Sequence, residues 1–113
     1  MDYQTLLSFE GWEIPADEVF LITEDTLDSL YAKSSETEQF YPFFHLCNEY
    51  FILKKKNLSK ETAYVCYLIS YYVFTALTPP HSEEIALEFA NEAVRSDPCT
   101  KYIQRLDIVK QGN

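Results

Sequence analysis

The stretch Thr62–Leu77, TAYVCYLISYYVFTAL, contains no charged residue, no Gly and no Pro. Wound as a helix, it places Tyr64, Tyr67, Tyr71 and Phe74 on one side, because they recur at steps of three and four. Val65, Leu68, Ile69, Tyr72, Val73 and Ala76 cover most of the remaining circumference. A helix that is apolar all round belongs either at the centre of a domain or in a membrane. The run is shorter than the roughly 20 residues a membrane span requires, and four tyrosines and a serine lie inside it. We therefore read it as a buried central helix around which the other segments must pack.

The remainder of the chain suits that role. Its 113 residues are the length of one domain, residues 1–113, and can close a core without a metal or a disulfide. Two glycines are too few for a protein rich in hairpin turns with positive φ. The expected architecture is all-α: a compact bundle of five or six helices around a central apolar helix at 60–77.

Taken in order, residues 2–10 read as a short helix closed by Gly11. Trp12 then follows as a plug in the core; exposed, it would be a binding anchor. From Pro15 to Ala32, residues Val19, Phe20, Ile22, Leu27, Leu30 and Tyr31 mark an amphipathic helical stretch with a break near Thr23. The run VFLI could pair as a strand, but no partner strand is visible. Ser35 and Glu38 fit a capping box, and a helix start near Gln39–Tyr41 keeps Pro42 in a first turn, where proline is tolerated. That helix carries Phe40, Phe43, Phe44, Leu46, Cys47, Tyr50, Phe51 and Leu53 as a broad apolar face. Lys54, Lys55 and Lys56 at its carboxyl end offset the helix dipole. Ser59 is expected to cap the central helix and Ser82 the next one. Asp97 and Pro98 would open a last helix, with Gly112 just past its end.

One part of this pattern resembles a known repeat. Ala86 and Ala93 stand seven apart and Pro98 follows five residues later, as in the second half of a tetratricopeptide unit. On that resemblance residues 60–96 form a TPR-like helical hairpin, and the module would bind protein or peptide. The Trp, Leu and Gly positions of the repeat's first helix are not reproduced, and no second copy occurs at a 34-residue period.

Charge separates the chain into two halves. Residues 1–50 hold eleven acids and one base, Lys33; residues 51–113 hold seven acids and eight bases, which together give the net −9. An acidic half repels nucleic acid and anionic membranes and steers a basic partner toward itself. Three cysteines, Cys47, Cys66 and Cys99, are an odd number without close spacing, and residues 1–15 have no secretory pattern. Both features point to a reducing cytoplasm. His45 and Cys47, two apart, face different sides of a helix, and no zinc-type spacing is present. Two glycines cannot build a phosphate loop.

No catalytic constellation and no cofactor motif emerges. The expected function is therefore non-catalytic: an acidic stoichiometric inhibitor, of the immunity or antitoxin kind, that covers a basic protein such as a nuclease toxin. The residues nominated for contact are Asp17, Glu18, Glu24, Asp25, Asp28, Glu36 and Glu38, with Tyr31 and Tyr41 as aromatic anchors. A TPR-like chaperone or adaptor that holds a peptide is the second reading. A small enzyme or metal protein using His45, His81 and the cysteines is the third.

Overall fold

Helix follows helix from Ala16 to Gln111. A computed structural model describes residues 14–112. In it a 3-10 turn at Ala16–Leu21 precedes α1 (Glu24–Lys33). A second short 3-10 turn, Glu38–Phe40, leads into α2 (Tyr41–Lys55). Then come α3 (Ser59–Tyr72), α4 (Ser82–Ser96) and α5 (Thr100–Gln111). No strand occurs among the described residues, and VFLI lies in the first 3-10 turn and the residue after it. The expected all-α bundle is what forms. The helix expected at residues 2–10, with Gly11 and Trp12, lies outside the described residues.

α3 is the axis. Every residue from Thr62 to Ser70 is buried; Tyr67 is 5% exposed and Ile69 0%. Most of its cover comes from α4 and α2, and the 3-10 turn at 16–21, α1 and α5 close the other sides. Cys66 sits in this core as a small apolar residue, and burial pushes its thiol up from the ordinary value. Where α3 meets α4, Ala86, Ala90 and Ala93 are buried, and the Ser70 hydroxyl donates to the Ala86 carbonyl at 2.8 Å. A seam of methyl side chains lets two helices approach closely. The late part of α3 thus meets the early part of α4. Thr62 at the start of α3 shares a small cavity with Glu92 and Ser96 near the end of α4, so the two run antiparallel.

The end of the apolar run departs from α-helix. Val73–Leu77 forms one π turn, closed by the Thr78 N–H on the Val73 carbonyl at 3.1 Å. Two prolines follow. Pro79 has no N–H with which to continue the helix, and Thr78 before it takes φ +41°. The helix therefore ends in a wide, left-handed stop rather than a regular last turn.

Several caps differ from expectation. Ser59 and Ser82 are not caps but the first residues of α3 and α4; Leu58 and His81 hold the cap positions without a side-chain cap bond. The chain enters both helices through left-handed residues, Asn57 at φ +59° and His81 at φ +64°. Asp97 ends α4, and α5 begins at Thr100 with Cys99 as its cap, two residues later than Asp97–Pro98 implied. The Ser35–Glu38 box does form in both directions: the Ser35 N–H donates to Glu38 Oε1 at 2.9 Å and the Glu38 N–H to Ser35 Oγ at 3.2 Å. It starts the 3-10 turn that delivers the chain into α2, with Pro42 in the first turn.

Candidate functional site

The acidic segment is fastened to the core helix by tyrosine hydroxyls. Tyr64, Tyr67 and Tyr71 occupy successive turns of α3 on the side facing α1. Their hydroxyls donate to the Ile22 carbonyl at 2.5 Å, to Glu24 Oε2 at 2.6 Å and to both Asp28 oxygens at 2.9 and 3.0 Å. Just upstream, Thr23 and Thr26 cap α1 reciprocally, each backbone N–H donating to the other's hydroxyl at 3.2 Å. The break near Thr23 is thus a true helix start. Glu24 and Asp25 fall in its first turn, where negative charge is favoured.

α5 completes this layer from the other side. The Lys101 ammonium lies 4.7 Å from the Tyr67 ring centre and 3.3 Å from Glu24 Oε2. The Arg105 guanidinium lies 5.3 Å from the Tyr71 ring centre and 5.9 Å from that of Tyr67. Cations over the faces of tyrosines, with a carboxylate on a tyrosine hydroxyl, form a mutually supporting layer. Partial burial pushes the Glu24 carboxyl up. The Tyr67 hydroxyl, the backbone N–H and Lys101 together outweigh that, so it ionises below its ordinary value of 4.5. Burial, then the Glu24 carboxylate, raise the Tyr67 hydroxyl, and burial raises that of Tyr64 to about 12.

The nominated contact residues are consequently not one set. Asp17 and Asp25 are exposed, and Glu18 is partly so. Glu24 and Asp28 are engaged from beneath by tyrosines, and Glu24 also by Lys101, so they position the face as well as charging it. Glu36, Glu38 and Tyr41 belong to a separate region at the start of α2. There Glu36, Thr37, Phe40, Tyr41 and Phe44 line an open cleft of about 420 Å³. The Glu38 carboxylate caps Ser35, and that bond holds it below the usual carboxylate range. Tyr31 is half-buried, edge-on to Tyr72 at 6.3 Å between ring centres, and its place is in the packing as much as at the surface.

Two exposed apolar residues belong beside the acids and were not nominated. Phe20 is 46% exposed and Leu21 51%, on the 3-10 turn whose first residues carry Asp17 and Glu18. The Phe20 ring packs tilted on Tyr64 at 5.1 Å, so it is held rather than loose. Read as α-helix, Phe20 falls on the apolar side with Val19. The tighter 3-10 winding turns it outward while Val19 and Ile22 go to the core. Pro15, which fixes the entry to this turn, is the one local signal of that change.

Candidate chemistry is sparse elsewhere. His45 is buried and His81 exposed on the α4 approach. Among the described residues no group of three or more His, Cys, Asp or Glu is placed to hold a metal ion. None of their helices is long and apolar enough to cross a membrane. No protein-family model matches this chain, and no curated protein or solved structure matches it.

Proposed function

We propose that the chain is a non-catalytic protein-binding module, an acidic stoichiometric inhibitor of the immunity type that covers a basic protein such as a nuclease toxin in a reducing cytoplasm. The observation that carries this reading is the exposed face built by the 3-10 turn and α1. These elements carry exposed Asp17, Asp25 and Asp28, partly exposed Glu18 and Glu24, and the exposed apolar side chains of Phe20 and Leu21. Carboxylates around an aromatic anchor fit a lysine- or arginine-rich surface: the charges steer encounter and the ring provides the desolvated contact. Glu36, Glu38 and Tyr41 extend the acidic surface around the α2 cleft. The net charge of −9 adds a long-range attraction for any cationic partner.

The test is capture of the partner from the native cell at low and high salt. Asp17→Lys with Asp25→Lys is the cleanest variant, because among the described residues no tyrosine hydroxyl is bonded to either side chain. At low salt it should weaken the complex at least about tenfold, and Phe20→Ser should do so independently of salt. A complex indifferent to both changes rules out this face.

A TPR-like adaptor is supported by one observation, the antiparallel pairing of α3 and α4 along Ala86, Ala90 and Ala93. The burial of α3 on all sides means that a peptide would have to lie on α4 or α5. Loss of binding on altering the outer side of α4, with the acidic face intact, would favour it.

A further inference from the structure

α2 is apolar on two opposite sides. Its inner side packs into the molecule through Pro42, Leu46, Tyr50 and Leu53. Its outer side shows Phe44 at 51% and Phe51 at 63% exposure, and Phe40, just before the helix, at 39%. At ~100° per residue these three phenylalanines fall within about 40° of arc and span about 17 Å along the helix, with half-buried Cys47 between them. Neighbouring rings hold them in place: Phe43 lies 5.7 Å from Phe44 and Tyr50 5.0 Å from Phe51. Such a row of large rings marks an interaction surface.

The charges at its two ends identify the occupant. The stripe begins beside Glu36, which lines a cleft with Phe40 and Phe44, and ends beside Lys55, on one helix and its approach. A surface that is acidic at one end, apolar along its length and basic at the other is complementary to itself when reversed. We infer that α2 pairs antiparallel with α2 of a second copy of this chain, about a two-fold axis near Cys47 and Asn48. In that register Phe44 of each copy lies opposite Phe51 of the other. Phe40 lies opposite Lys55, a cation over a ring, and the Glu36 end meets the lysine end. The contact leaves the Phe20–Asp25 face open but covers the cleft lined by Glu36, Phe40, Tyr41 and Phe44. It stands whether or not the inhibitor reading holds, and a two-fold dimer would present two acidic faces.

The experiment is sedimentation equilibrium of the full chain up to about 0.5 mM, a range that registers a small, weak interface. The wild type should show a concentration-dependent monomer–dimer equilibrium. Phe51→Glu and Phe44→Glu, each at a side chain more than half exposed, should leave a monomer with unchanged circular dichroism. Glu36→Lys or Lys55→Glu alone should weaken the dimer several-fold. A wild type that stays monomeric throughout overturns the proposal. So does a dimer that survives Phe44→Glu, or one that neither charge reversal weakens. If Phe44→Glu lowers the melting temperature of a protein that is monomeric in both forms, the stripe is covered from within its own chain, and the proposal fails.

Discussion

Tyr67 is the residue at which core and surface meet. Its ring is 5% exposed, yet its hydroxyl reaches Glu24, and Lys101 lies over its face. Tyr67→Phe keeps the packing and removes one part-buried bond to a charged acceptor, so it should cost about 1–2 kcal/mol in chemical denaturation. Tyr71→Phe, whose bond to Asp28 is exposed, should cost less. The acid limb should respond too. Glu24 has a folded-state pKa below its unfolded one, so its contribution is fully present above the unfolded value of about 4.5 and is lost as pH falls through the folded value. Tyr67→Phe should therefore flatten the loss of stability below pH ~4.5, read as melting temperature against pH. The spacing of Tyr64, Tyr67 and Tyr71 was legible in the sequence. Their acceptors were not, because the carboxylates lie about forty residues away and only the packing of α1 brings them near.

Among the elements, the long patterned helices were readable and their junctions were not. The apolar run, the lysines closing α2 and the alanines of α4 all obey helical periodicity, which is local. The junctions turn on backbone states that periodicity does not encode. With two glycines in the chain, Asn57, Thr78 and His81 take positive φ instead, so the sparse glycines gave no marker for these turns. The broad apolar face expected for α2 is the other miss. Its phenylalanines divide between two sides of the helix, and a hydrophobic count cannot say which side meets the core. Thr78 is the most strained junction, since a β-branched residue is poorly suited to φ +41°. Thr78→Gly should stabilise the protein by about 0.5–1 kcal/mol, raising the melting temperature by about 2–6 °C. An unchanged or lowered value would mean that the π turn needs the threonine side chain.

At the scale of the whole molecule, one buried rod organises the rest. α2 and α4 insulate it. α1 is tied to it by hydroxyls, and α5 lays two cations across the same rings. The radius of gyration, 13.1 Å, is that of a domain of about 100 residues closed around a single core. The acidic face is an outgrowth of this arrangement: the tyrosines that fill the core on one side also hold the carboxylates outward on the other. Native-state hydrogen exchange on the full chain tests the arrangement most directly. The amides of Val65–Ile69 should be the slowest in the protein and should exchange only with global unfolding, while those of α1 and α5 open earlier at lower free energy. Amides at Val65–Ile69 that exchange as readily as those of α1 would contradict a core built on α3.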